Sequence, residues 1–485
     1  MREPRCQIRL GVALTSLLLL CALIRPALAR MDITWGDVQD PRLREAIFDL
    51  EKEDYFDGLG RLVTNRNFVD VSGVDKNNVN LLLAALYLGY RMPDEAKQLL
   101  SEELDKNSKI TVQDALWLKL AKTRYQRSQF AEAATALAQI RGKMPREAEL
   151  ERRSLYALVL IQQKQTKQAA DVLNVVDLKG NVTATAFERY NLAVALLKLD
   201  RMGEAMEQLK LLGEMKTTQE DLQALRDQAL ITAGYSLLKN KDPAQAVTSL
   251  EKVRLDGTLS GKALLGLGWA YSLMDKHKHA IAAWSELGKR DLSDPAALEA
   301  TLAIPYAYSK LEAYRQAVEH YETAITGFGA ADKKLETLMT SVRSGKMLAV
   351  ILKQGPMALP TAMEEYRKVT DPAELQFLAP LLMSYEFQEA HRNYEDMKTL
   401  GKKVQQWINM LEKAKMAASF RESYMVRLVK YQTETSNTTR DLERYIKRLT
   451  LAHLNAQKER VNRYVSQARF SMAQIYDQAA RTSGQ

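Results

Sequence analysis

Cysteine is nearly absent from this 485-residue chain: Cys6 and Cys21 are its two copies, and both fall within the first 29 residues. Beyond residue 29 there is no thiol for a disulfide or a thiolate metal site, so that part of the chain must be held by packing. Glycine and proline are also scarce, at 22 and 12 residues, while Ala, Leu, Lys, Glu and Gln are abundant. Straight-chain side chains lose little rotamer freedom in a helix, so this composition favours α-helix. Phosphate-cradling glycine loops are missing: there is neither a GxxxxGK followed by Ser or Thr nor a GxGxxG. HExxH, GxSxG and acidic calcium loops are missing too, which leaves a catalytic reading without support and calls for no cofactor or metal. Five histidines serve the whole chain; His277 and His279, two apart, point to different helix faces and read as solvent-exposed turn residues.

What is present begins with a distinct N-terminus. Arg2, Arg5 and Arg9 form a positive start, Gly11 to Ile24 an apolar run, and Ala27-Leu28-Ala29 a small-x-small site that fits the pocket of signal peptidase. Residues 1–29 are therefore expected to be a cleaved secretory signal, the apolar run being short for a membrane span. Leu20 before Cys21 does not fit a lipoprotein processing site. The segment carries four Arg and one Glu, so its removal lowers the formal charge from +9 to +6. That is mild for the length and argues against a dedicated nucleic-acid surface. With 27% charged residues and a mean hydropathy of −0.31, the remainder reads as soluble.

A pattern then recurs along the chain. With an alanine or glycine as anchor, a small residue falls twelve places before it, a large one nine before, an aromatic or turn residue three before, and a large apolar one four after. Ala157, Leu160, Ala169 and Leu173 make one clear copy, and Gly268, Tyr271, Ala280 and Trp284 another. The anchors are residues 58, 96, 133, 169, 205, 246, 280 and 317, spaced by 38, 37, 36, 36, 41, 34 and 37. Close approach of two helices explains the pattern: small residues let the backbones cross, and large ones fill the groove to the neighbouring pair.

This pattern resembles the tetratricopeptide repeat, a pair of antiparallel helices recurring near every 34 residues. The resemblance covers roughly residues 40–330 and implies an all-α, right-handed superhelical solenoid of about eight helix pairs. The longer spacings imply lengthened turns. The expected organisation is a signal peptide (1–29), a repeat solenoid (30–330) and divergent helical repeats with a long C-terminal capping helix (331–485).

Beyond Phe328 the pattern loosens. Lys333–Lys353 is expected as one helix stopped by Gly355-Pro356, and Thr361–Val369 as a short helix before Asp371-Pro372. Leu375–Arg392 and Tyr394–Leu411 read as a decayed repeat, with Tyr394 and Met397 in the aromatic and alanine places. The polar run Thr433–Thr439 is expected as a turn, with Thr438 or Thr439 capping the next helix and Asp441 and Glu443 in its first turn. From there to Ala480 there is no Gly or Pro, which allows one helix of about forty residues or two joined by a bend. A solenoid must cover its last apolar face, and this segment is the candidate cap. Arg440–Arg469 holds eight basic and three acidic residues, a solvated face or a dock for an anionic membrane or acidic partner. Its apolar positions do not keep a heptad throughout, so a long coiled coil is not expected.

In the family that the chain resembles, residues eleven and seven before the anchor line a concave trough. The eleven-before places are Lys122, Leu158, Val194, Tyr235, Trp269 and Tyr306; the seven-before places are Gln126, Gln162, Lys198, Lys239, Leu273 and Lys310. Tyr235, Trp269 and Tyr306 form an aromatic ladder beside Lys198, Lys239 and Lys310, suited to peptide or sugar faces and to carboxylates or phosphates, or else packed against the adjoining helix. Lys122, Lys198, Tyr235, Lys239, Trp269, Tyr306 and Lys310 are the candidate groove. No lysine stands at the fifteen-before places, so a chaperone-tail clamp is not expected.

Overall the chain is similar to exported tetratricopeptide proteins of Gram-negative bacteria. That resemblance implies a periplasmic, non-catalytic scaffold of the cell envelope with protein partners, no nucleic acid and no membrane span after signal cleavage, peripheral membrane contact remaining open. An accessory subunit of exopolysaccharide or cell-wall export that binds glycan is a second reading. A hydrolase of envelope polymers is a third.

Overall fold

The computed structural model describes residues 40–69, 76–101, 110–174, 185–353, 372–413 and 418–483. The expectations for residues 1–29, Gly355-Pro356, Thr361–Val369 and Asp371 lie outside the described residues. Twenty helices and no strand make up the regular structure of the described residues, and the chain divides into two compact units, residues 1–236 and 237–485.

The first unit holds five consecutive helix pairs: α1 (Pro41–Glu51) with α2 (Tyr55–Val69), α3 (Lys76–Gly89) with α4 (Pro93–Leu100), α5 (Ile110–Gln126) with α6 (Phe130–Ala138), α7 (Arg146–Gln162) with α8 (Thr166–Asn174), and α9 (Ala186–Lys198) with α10 (Met202–Gly213). The division falls within α11 (Glu220–Lys239). The second unit contains α12 (Pro243–Leu250), the pairs α13 (Ser260–Leu273) with α14 (His277–Gly288) and α15 (Pro295–Lys310) with α16 (Tyr314–Arg343), then α17 (Lys346–Lys353), α18 (Pro372–Leu382), α19 (Tyr385–Lys413) and α20 (Ala418–Ser483).

The anchor and helix-opening places of the repeat hold at all eight anchors, while the twelve-before place of the last is Pro305 instead of a small residue. Seven anchor alanines, from Ala96 to Ala317, are fully buried, and Gly58 is buried in the eighth place. The residue three before each anchor opens the second helix of its pair: Tyr55, Pro93, Phe130, Thr166, Met202, Pro243, His277 and Tyr314. His277 is thus a buried residue facing Ser272 Oγ at 3.5 Å, not the exposed turn residue expected, whereas His279 is exposed and packs on the Tyr271 ring. Its helix-opening place, shared with Tyr55 and Phe130, draws it inward.

Between the helices of every pair the chain makes the same turn. The residue five before the anchor (Glu53, Arg91, Ser128, Lys164, Asp200, Lys241, Asp275 or Glu312) has a φ of 54–63°. None is glycine, so each turn is held against a left-handed penalty of roughly 1–2 kcal/mol. The next amide bonds back to the carbonyl nine before the anchor, as in Met92 N–H to Tyr87 O (2.8 Å) and Gln165 N–H to Leu160 O (2.8 Å). This is the closing bond of a Schellman turn, and it satisfies carbonyls that the ending helix orphans.

Above the turn the helices cross on small residues. Ala84, Ala121, Ala157 and Ala193, twelve before their anchors, are fully buried. At Gly268 an added Cβ would lie 2.0 Å from Nε1 of Trp284, the large residue four after the next anchor. Trp284 is fully buried and donates from Nε1 to the Leu265 carbonyl at 3.2 Å. Aspartates at helix starts add local definition: Asp40, Asp242 and Asp294 each precede a proline and accept the amide of Arg42, Gln245 and Ala296.

The C-terminal third departs from expectation in where its helices break. Lys333–Lys353 is not one helix: α16 already began at Tyr314 and stops at Ser344, and Gly345 (φ 85°) turns the chain into α17. The break between α18 and α19 falls at Met383-Ser384, where Ser384 Oγ accepts the Phe387 amide, so Tyr394 and Met397 lie inside one helix. Thr433–Thr439 is helical within the 66-residue α20. Hydroxyls of Thr433, Thr435, Thr438 and Thr439 donate to carbonyls four residues earlier, so these polar side chains are satisfied along the helix and need no turn.

α20 packs along α16 and α19, with further contacts to α15 and α18. Its buried side chains include Thr450, Leu454, Gln457, Val461, Ala468 and Ile475, a seven-residue rhythm that polar Thr450 and Gln457 hid from an apolar count. Much of its basic stretch is engaged: Lys458 reaches Glu336 at 2.6 Å and Asp332 at 3.6 Å, and Lys447 donates to the Arg343 carbonyl.

Two outcomes are expected on this basis. Gly268→Ala should lower unfolding stability by about 2–3 kcal/mol, since Trp284 cannot retreat from a Cβ at its indole; an unchanged denaturant midpoint would refute the close crossing. Lys164→Gly, at an exposed turn site with φ 63°, should raise stability by roughly 0.5–1 kcal/mol, relief of the left-handed strain exceeding the entropy gained by the unfolded chain. A lower midpoint would show that the turn carries no such strain.

Candidate partner-binding face

Each candidate residue belongs to the first helix of a pair, eleven or seven places before its anchor, and the two registers sit in different surroundings. The eleven-before residues are packed. In the first unit Val194 is buried, Leu158 is half-buried, and Lys122 Nζ meets Glu151 Oε1 at 2.8 Å with both side chains largely covered. Tyr235 is half-buried.

In the second unit Trp269 Nε1 donates to Glu299 Oε1 at 2.9 Å, and its ring packs on Trp284 (centroids 5.0 Å) and Tyr306 (6.2 Å). Lys310 Nζ lies 5.7 Å from the Tyr306 ring centre, a distance at which a cation is drawn to a ring face. Burial pushes the Glu299 carboxyl above the ordinary range, partly offset by the Trp269 bond. Tyr464 on α20 is pushed up to about 12, by burial first and then by the charge of Glu299. The two ring residues named in this unit are therefore members of one interlocked cluster.

A rule links the partners. Glu151 and Glu299 each stand eighteen before the next anchor, so the eleven-before place of one pair faces the eighteen-before place of the following pair. The eighteen-before places are otherwise mixed, among them Asn78, Phe187, Gln228 and Lys262, so the sequence carries no repeating signal for these two acids.

From Lys198 onward the seven-before residues are open. Lys198 is exposed in the first unit. Lys239, Leu273 and Lys310 are exposed in the second, Leu273 at 49%. Gln126 and Gln162 are half-buried, with Gln163 rather than Gln162 reaching back to the Phe130 carbonyl of the preceding pair. In the second unit the seven-before register thus exposes two lysines and one leucine, not a strip of bare rings.

Other charged groups serve the fold. Asp114 is buried and accepts the amides of Arg141 and Gly142. Buried Arg189 bonds Thr185 Oγ1 and Gln208 Oε1, and burial raises the neighbouring Glu188 carboxyl. Among the described residues no three His, Cys, Asp or Glu lie together as metal ligands, and no helix is long and apolar enough to cross a membrane.

Consecutive helix pairs in an all-α array define the class of fold among the described residues. No family model matches the chain, and no curated protein matches it. Among solved structures it is similar to a chain in the crystal structure of the APC/C hetero-tetramer Cut9-Hcn1, at 15% identity over 95% of this chain and 98% of that one, with a TM-score of 0.26.

Glu299 makes a pH test possible. Its folded pKa is raised, so above about 4.5 the unfolded chain loses a proton that the folded one retains, and stability falls as pH rises. Glu299→Gln keeps an acceptor for Trp269 and should melt at a higher temperature than wild type at pH 7.5, the gap closing towards pH 4. A variant less stable at pH 7.5 would show that the carboxylate is accommodated in the cluster.

Proposed function

We propose that this chain is an exported, non-catalytic scaffold of a bacterial cell envelope that binds acidic segments of protein partners along the first helices of its pairs. One observation carries this: at a single repeat register Lys239, Leu273 and Lys310 of the second unit are all exposed, while the neighbouring register is closed by internal contacts. Lysines spaced by whole repeats, with an apolar side chain between, suit an extended acidic peptide carrying a hydrophobic residue. Lys198 presents the same chemistry in the first unit. Stacking on a sugar would need the faces of Trp269 and Tyr306, and both rings are engaged inside the unit, so the protein-binding reading is favoured over the glycan one.

Export rests on Ala27-Leu28-Ala29 behind its apolar run and on cysteines confined to residues 1–29. N-terminal sequencing of the protein recovered from the periplasm should begin at Arg30; a chain retained in the cytoplasm with Met1 intact would reject export. Crosslinking in cells, followed by mass spectrometry, should capture partners that a Lys239→Glu, Leu273→Ser, Lys310→Glu variant loses about tenfold. Undiminished capture by that variant would reject the lysine row as the binding face.

A further inference from the structure

The free end of the α19–α20 hairpin carries an unusual surface. Tyr445 OH bonds Glu386, and Gln432 bonds Gln405, so the two helices run antiparallel towards Lys413 and Ala418. Near that end Trp407, Met410, Phe420, Tyr424, Val426 and Tyr431 are all exposed, five of them by more than half. Large apolar side chains normally mark the covered side of a helix. Here the covered side is already occupied: Val404 and Ile408 of α19 are buried, and Leu428 and Gln432 of α20 are half-buried.

At 3.6 residues per turn, Phe420, Tyr424 and Tyr431 fall on one flank of that covered line and Val426 on the other. The apolar groups thus surround the end of the hairpin instead of forming one stripe. Residues 402–413 and 418–431 also hold six basic residues (Lys402, Lys403, Lys413, Arg421, Arg427 and Lys430) and two acidic ones, Glu412 and Glu422.

We propose that this hairpin end inserts shallowly into the surface of an anionic lipid bilayer. Two features select that occupant. A net positive end would repel a second copy of itself, whereas it is drawn to anionic headgroups. Groups on both flanks cannot all be covered by one docked helix, but Met410, Phe420, Tyr424 and Val426, the ones nearest the end, are covered together when the end is immersed to about the depth of the headgroups. Trp and Tyr, with an apolar body and a polar tip, suit that depth. The inference is independent of the lysine row, which lies on α11, α13 and α15.

The test is co-sedimentation of the full chain with vesicles of phosphatidylcholine and phosphatidylglycerol, against phosphatidylcholine alone. Wild type should sediment with the anionic vesicles and release as salt rises. Met410→Ser, Phe420→Ser, Val426→Ser should cut the bound fraction at least tenfold, as should Lys413→Glu, Arg421→Glu, Arg427→Glu. Both variants change exposed residues and should keep the wild-type helical circular dichroism and melting temperature. Vesicle binding that neither variant weakens would overturn the proposal, because contact would then be made elsewhere, for instance by the apolar run Gly11–Ile24. So would lipid-free dimerisation abolished by the serine variant, which would show that a second copy covers this surface.

Discussion

The backbone approach within each helix pair is the constraint on which the rest depends. A small residue twelve before the anchor and the small anchor itself let two helices lie close enough for the chain to reverse in three residues. That proximity aligns the carbonyl nine before the anchor with the amide four before it, and the bond between them forces the intervening residue to positive φ. Glu, Arg, Ser, Lys and Asp all accept this conformation, so the crossing sets the turn and the turn residue's own preference does not. Where the partner residue is largest, at Trp284, the crossing residue is the smallest, Gly268.

Function follows from which registers that geometry spends and which it leaves open. The eleven-before side chain of one pair is carried against the next first helix, where Lys122 finds Glu151 and Trp269 finds Glu299. The seven-before side chain, one turn along, clears the neighbour and reaches solvent as Lys198, Lys239, Leu273 or Lys310. Side chains in the first register therefore couple successive pairs, and those in the second face solvent. In the second unit the long α20 extends the same logic: Lys458 is taken up by Glu336 and Asp332, while the outer end of its hairpin with α19 stays basic and apolar.

The repeat register was legible in the sequence because its cause is steric and local: anchor and helix-opening residue stand at fixed offsets. The left-handed turns were not legible, since none of the eight carries the glycine that usually signals them. The C-terminal helices were misjudged where polarity was taken for a break. Thr433–Thr439 satisfies its hydroxyls along the helix, and the seven-residue rhythm of α20 passes through Thr450 and Gln457. Of the candidate face, Lys198, Lys239 and Lys310 were readable as exposed from their register; that Trp269 and Lys122 are held by Glu299 and Glu151 depends on a second register in the following pair.

Amide hydrogen exchange at the eight turns tests the central claim most directly. The amides of Asp54, Met92, Gln129, Gln165, Arg201, Asp242, Lys276 and Ala313 each donate to the carbonyl nine before their anchor. If the close crossing fixes every turn, all eight should be protected to the same degree as the helix amides that flank them. Exchange at these positions as fast as at an open loop would mean that the turns are not set by the crossing, and the repeat account would fail.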